Sequence, residues 1–291
     1  MRITNTHDTW LLVDTPTKAE SARKDIGNSA YLGMDTEYDS FRYFRDKLCL
    51  IQIKAAKSTY LFDPLCSVDL SFLGDFFASS SICKIMHAGD NDIRILKRDY
   101  GFLFNNIFDT HRAASLLGCT HLSLAALISR YLGIEFEKKK KIQRSKWDLR
   151  PLTEEQLEYA VMDAVYLPDL QRRLEDEILK VDLEEEAEKV FREMTKVVWR
   201  EKELDQKGHK KIGGYYALPD NRKERLKRLF RWRYSKAKAI NRAFFMILSD
   251  HDLFCLSDTE ITNLEDLMAK GLLSREKARI LGPEIVELLH N

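Results

Sequence analysis

A mixed α/β region up to about residue 176, followed by a small all-α region, is the architecture this 291-residue sequence predicts. Short β-rich runs alternate with helix-like stretches through the first part, and no β run follows residue 177. The segment Gln206 to Tyr216, with Gly208, Gly213 and Gly214, then reads as a break before a last helical stretch. The expected division is 1–176, a helical linker over 177–218, and a helical domain over 219–291.

The β-rich runs are Trp10 to Val13, Ala30 to Met34, Leu48 to Ile53, Thr59 to Phe62 and Lys84 to His87. The helix-like stretches are Ser67 to Phe77, Asn91 to Asp99, Ala113 to Leu117, Ser123 to Leu132 and Thr153 to Leu174. The last has the clearest start, because Thr153-Glu154-Glu155-Gln156 reads as a capping box with Pro151 just upstream. A fixed start fixes the helix phase, so Tyr159 and Asp163, four residues apart, share one face. Glu177 to Glu203 is charged and helix-prone, and Leu226, Leu229, Phe230 and Trp232 open the final helical module.

Composition frames the chemistry. A hydrophobic content of 44% is enough for packed cores in one large domain and a smaller one. No apolar run approaches the roughly 20 residues that cross a bilayer. The start, with Thr6, His7, Asp8 and Thr9, lacks the layout of a signal peptide, so a cytoplasmic protein is expected. The five cysteines are an odd number without a C-x-x-C pair, which supports neither a disulfide framework nor a zinc ribbon. The net charge of +1 hides an uneven distribution. Residues 221–242 carry ten Lys or Arg against the single acid Glu224, and Lys138 to Lys141 with Arg144 and Lys146 form a second basic run. Both runs can grip phosphates, although a solvated loop explains Lys138 to Lys141 equally well.

The sharpest chemical signal is Asp35-Thr36-Glu37 at the end of an apolar run. A strand sends alternate side chains to one face, so the two carboxylates project together and can share a hard cation. Taken singly, Asp35 and Glu37 suit a solvated turn, Asp92 a charged helix face, and Tyr159 a half-buried core edge. Together with Asp163 they form three dispersed acidic segments without a fitting Cys or His set, which favours Mg²⁺ or Mn²⁺ over zinc. Phosphoryl transfer is the chemistry that such a set serves. His87, His111 and His121 receive no role.

The segments Met34 to Tyr38, His87 to Ile93 and Tyr159 to Asp163 resemble the three exonuclease motifs of the DEDD superfamily, in their expected order. Tyr159 in place of His is similar to the DEDDy subclass. Leu48-Cys49-Leu50-Ile51-Gln52-Ile53, together with Gln143-Arg144-Ser145-Lys146-Trp147 and Arg150-Pro151-Leu152, resembles ribonuclease D, and residues after 219 resemble one HRDC module. Bacterial ribonuclease D commonly carries two such modules, and this sequence has room for one.

The resemblance implies a ribonuclease H-like exonuclease domain with a central mixed sheet, and removal of 3′-terminal nucleotides as 5′-monophosphates with two divalent ions. Asp35 is then expected to bridge both ions, Glu37 and Asp163 to complete the first site, and Asp92 to support the second, partly through water. Tyr159 is expected to orient the attacking water, because a hydroxyl with an ordinary pKa of about 10 is a poor base. The expected partner is RNA with an unpaired 3′ end, such as a transfer RNA precursor, with the protein acting as a monomer without an obligate protein partner. Candidate nucleic-acid contacts are Tyr38, Arg144, Arg150, Lys227, Arg231 and Lys238, whereas Trp147 is expected to pack. Two alternatives stand beside this reading: a DNA exonuclease of the Werner type, and a catalytically silent nucleic-acid-binding scaffold.

Overall fold

The computed structural model describes residues 2–3, 9–135 and 140–290. Lys138, Lys139 and the residues Thr6 to Asp8 lie outside the described residues. The chain forms two compact units, one of residues 1–39 and 47–200, the other of residues 40–46 and 201–291.

The first unit is built on seven strands: β1 (Arg2–Ile3), β2 (Thr9–Val13), β3 (Tyr31–Asp39), β4 (Lys47–Lys54), β5 (Ser58–Phe62), β6 (Cys83–Met86) and β7 (Ile107–Asp109). They form one mixed sheet in the order β1-β2-β5-β4-β3-β6-β7. The β5-β4-β3 centre is antiparallel, while β2-β5, β3-β6 and β6-β7 are parallel. The helices of this unit are α1 (Pro16–Gly27), α2 (Leu73–Ala78), α3 (Asp90–Tyr100), α4 (Thr110–Leu116), α5 (Leu124–Leu132), α6 (Lys140–Gln143), α7 (Glu154–Val165), α8 (Leu167–Lys180) and α9 (Glu184–Thr195).

Helices cover both faces of the sheet, and β3 shows how the period of two serves them. Leu32 and Met34 are buried with Ala22, Ile26, Ile93 and Leu96 of α1 and α3. The alternate positions Gly33, Asp35 and Glu37 face the α7 side, where Leu50 and Leu61 pack with Ala160, Val161 and Leu170. Gly33 lets α7 come close, since a Cβ there would stand 2.8 Å from the Ala164 carbonyl oxygen. A bulge follows: Glu37 pairs with Leu50 and Tyr38 with Leu48, which leaves Cys49 as the extra residue of β4. Such a bulge re-aims the side chains at the end of a strand pair.

The second unit is helical: α10 (Asp220–Ala239), α11 (Phe244–Ile247), α12 (Asp250–Asp258), α13 (Leu264–Ala269) and α14 (Arg275–His290). The 40–46 segment supplies Phe44 to its core, edge-on to Tyr234 at 5.4 Å and to Phe244 at 5.7 Å.

Three expectations change. The stretch Thr153 to Leu174 is two helices that meet at Tyr166, with Pro168 in the first turn of α8, where its missing N–H costs nothing. The helix expected over Ser67 to Phe77 shortens to α2. The chain also does not divide at 176, because α8 and α9 bury Leu174, Ile178, Ala187 and Met194 in the cores of the first unit. A linker over 177–218 is therefore replaced by a division at 200/201.

Candidate active site

Asp35 and Glu37 leave β3 on the face that meets α7, as their spacing predicts. On α7, the Thr153 hydroxyl accepts from the Gln156 backbone N–H at 3.2 Å, and the Gln156 side chain accepts from the Thr153 N–H at 3.0 Å. This capping box holds the helix in the phase that turns Tyr159 and Asp163 toward β3. Carboxylate oxygens of Asp35, Glu37 and Asp163 then lie within 4.8 Å of one another. Among the described residues this is the one group of three or more His, Cys, Asp or Glu side chains so arranged.

Glu37 and Asp163 are buried, at 8% and 4% exposure. At such separations like charges repel by roughly 3 kcal/mol per pair for an effective dielectric of about 20. A donor set made only of carboxylate oxygens fits a hard divalent cation, which would offset that repulsion.

Asp92 lines the same cavity of about 360 Å³, together with Thr36, Tyr38, His87, Asn91, Gln143 and Tyr159. It stands outside the three-carboxylate group and accepts a short hydrogen bond from the Thr36 hydroxyl. Burial pushes its pKa up to about 6, with smaller contributions from Asp109 and Asp90. The turn that delivers α3 contains Ala88 at a φ of 56°, a left-handed conformation rare outside glycine. Asp109 braces the turn by accepting from the Gly89 N–H at 3.0 Å.

The Tyr159 hydroxyl bonds to Asp163, and burial, reinforced by Asp163, Glu37 and Asp35, drives its pKa far above the ordinary tyrosine value. It is a proton donor at neutral pH and not a base. Trp147 is 1% exposed, and its ring lies 6.0 Å from that of Tyr159, which is a packing role. The Tyr38 hydroxyl accepts from Asn91 Nδ2 at 3.1 Å beside the cavity. His87, to which the sequence reading assigns no role, also lines it, tied through Nδ1 to the Thr110 hydroxyl at 2.9 Å.

Arg150 is a correction. Its guanidinium grips Asp63 at 2.5 and 2.7 Å and donates to the carbonyls of Trp147, Leu149 and Cys49. All five N–H donors are committed, so Arg150 fixes the bulged β4 residue to the approach of α7 and has none left for phosphate. Arg144 is exposed.

The basic stretch of α10 is also less open than its composition suggests. Arg222 and Arg225 pair with Glu260, Lys223 with Asp220, Lys227 with Glu224, Arg233 with Asp250, Lys236 with Glu284 and Lys238 with Glu201. Arg231 is exposed and donates to Gln206 at 3.5 Å.

Comparison with known proteins agrees with this geometry. A family model described as 3′-5′ exonuclease matches residues 11–179, and a model of the HRDC domain matches 222–289. Ribonuclease D of Shewanella is 31% identical over 266 residues, covering 90% of this chain and 67% of its own. The exosome complex component 10 homolog of Drosophila melanogaster is 28% identical over 271 residues, covering 89% of this chain but 29% of its own. This chain thus spans under a third of that relative. Among solved structures, the catalytic core of RRP6 from Trypanosoma brucei shares the fold, with a TM-score of 0.87 at 20% identity over 99% of this chain and 80% of that one. RNase D of Escherichia coli, described as an exoribonuclease involved in structured RNA processing, gives 0.70 at 26% identity over 97% and 74%. On these matches the chain belongs to the DEDD-type 3′-5′ exonucleases of the ribonuclease D kind and carries one HRDC domain.

Proposed function

We propose that the protein is a 3′-5′ exoribonuclease that trims the unpaired 3′ end of structured RNA, such as a transfer RNA precursor, and releases 5′-monophosphates. The observation that carries this reading is the convergence of Asp35, Glu37 and Asp163 within 4.8 Å, with Tyr159 bonded to Asp163. RNA is favoured over DNA because the relatives that match along most of the chain include ribonuclease D proteins.

Two divalent ions, Mg²⁺ or Mn²⁺, would lower the pKa of the attacking water and stabilise charge on the attacking and leaving oxygens of an in-line displacement. Asp35, Glu37 and Asp163 would hold the first ion and Asp92 would help to hold the second. Tyr159, held protonated, orients the water or the scissile phosphate through its hydroxyl. Tyr38 borders the cavity and would meet a terminal base, and the exposed Arg144, which follows the cavity-lining Gln143, would meet a phosphate. Arg231 is the readiest phosphate contact of α10, while Lys227 and Lys238 would have to exchange Glu224 and Glu201 for the ligand.

The test is digestion of matched RNA and DNA hairpins with 3′ tails and 5′ labels in Mg²⁺. The reading expects stepwise shortening of the RNA that halts near the stem. Shortening of the DNA alone would make the protein a DNA exonuclease, and no shortening of either would make it a scaffold.

A further inference from the structure

Gln52, in the middle of β4, is fully buried at 0% exposure, and among the described residues neither its Nε2 nor its Oε1 has a hydrogen-bond partner. Burying an amide in this way costs folding free energy that an apolar side chain of the same size would not cost. Leu50 and Ile53 on the same strand show that β4 otherwise takes aliphatic residues. An amide retained here needs a reason, and the sheet register supplies one.

Gln52 lies directly opposite Asp35 across the β3-β4 pair. Side chains so paired share a face, with Cβ atoms about 4.5–5.5 Å apart. On its other flank the register partner is Leu61 of β5. Above this face α7 contributes the buried apolar residues Ala160, Val161 and Ala164. Of its two cross-strand neighbours, only Asp35 has side-chain polar atoms for the amide to meet.

We propose that Gln52 is a positioning residue of the metal centre: its Nε2–H, unpartnered in the metal-free protein, would turn to the Asp35 carboxylate when a cation is held there, and so fix which oxygen Asp35 presents to it. The inference rests on the metal-site reading above. Carboxylates that bind metal are themselves oriented by hydrogen bonds from a second layer of residues, whose loss typically weakens metal affinity or activity by about 10–100-fold.

Gln52→Met keeps the volume and removes the amide, and Gln52→Glu keeps the shape and replaces the donor by a further acid. Each is compared with wild type by Mn²⁺ binding without RNA, measured calorimetrically, and by melting in EDTA. The expected result is Mn²⁺ affinity about tenfold or more weaker in Gln52→Met but not in Gln52→Glu, whose added carboxylate attracts the cation, with Gln52→Met melting as high as wild type or a few degrees higher in EDTA. Wild-type Mn²⁺ affinity in Gln52→Met would overturn the proposal. So would a large fall in its EDTA melting temperature, since Gln52 would then be an ordinary core residue. If wild type itself binds no Mn²⁺, the metal-site reading fails first, and that outcome is distinct from the other two.

Discussion

Asp163→Asn should make the metal-free protein more stable while removing its function. In the wild type, carboxylate oxygens of Asp35, Glu37 and Asp163 stand within 4.8 Å of one another. Each like-charged pair costs roughly 3 kcal/mol at an effective dielectric of about 20, and Asp163 takes part in two such pairs. Asp35 is only partly buried, so solvent screens its share. A net gain of about 2 kcal/mol is therefore expected, which raises the melting temperature in EDTA by about 5 °C for a unit of this size. The Asn side chain keeps an acceptor for the Tyr159 hydroxyl, so the substitution leaves no new orphan. Melting curves in EDTA and in Mg²⁺ read both halves of the prediction. Mg²⁺ should raise the melting temperature of the wild type and leave that of Asp163→Asn nearly unchanged. A variant less stable than wild type in EDTA, or one that Mg²⁺ stabilises as much as wild type, would refute the electrostatic reasoning.

Other substitutions separate the remaining roles. Tyr159→Phe removes an orienting hydroxyl and not a base, so kcat should fall by about 10–100-fold with the shape of the pH-rate profile unchanged; loss of an alkaline limb would show that Tyr159 does titrate. Burial raises the Asp92 pKa to about 6 in the metal-free protein, above its ordinary value, so the folded state holds the extra proton. Stability in EDTA should accordingly fall as pH rises from about 4 to 6, and Mn²⁺ affinity should weaken as pH falls through about 6. Asp92→Asn should flatten both trends, and persistence of either, measured by melting and calorimetry across pH, would assign them to another group. Arg150→Ala breaks the fork to Asp63 and three carbonyl contacts, and should cost about 2–3 kcal/mol by urea unfolding with the RNA affinity of the folded protein unchanged. A selective loss of RNA affinity would restore Arg150 as a phosphate contact.

What could be read from the sequence was what depends on short spacing. The period of two in β3 put Asp35 and Glu37 on one face, the period of the helix did the same for Tyr159 and Asp163, and the Thr153 cap set the phase between them. Local signals were also present for α1, where the Thr15 hydroxyl caps and Pro16 opens the helix, but its buried Ala19 and Ala22 give too weak an apolar pattern to announce it. Strand β7 has three residues, fewer than any alternation can mark.

Contacts between distant residues left no such trace. Arg150 meets Asp63 across 87 positions of chain. Lys236 and Lys238 of α10 find Glu284 and Glu201 far along the sequence, so a local count of charges overstated the open positive surface. Phe44 joins a core built mostly from residues after 200, although it follows β3 by only a few positions. The same holds for Gln52, whose burial beside Asp35 exists only once β3 and β4 are paired.

The central claim is that Asp35, Glu37 and Asp163 hold a cation that drives exonucleolytic cleavage. The most direct measurement is the digestion of a 5′-labelled, 3′-tailed hairpin RNA by wild type and Asp35→Asn, each in Mg²⁺ and in EDTA. Wild type should give a ladder that shortens from the 3′ end in Mg²⁺ alone, and Asp35→Asn a rate at least about a thousandfold lower. A ladder that persists in EDTA, or an Asp35→Asn protein that cleaves like wild type, would contradict that claim.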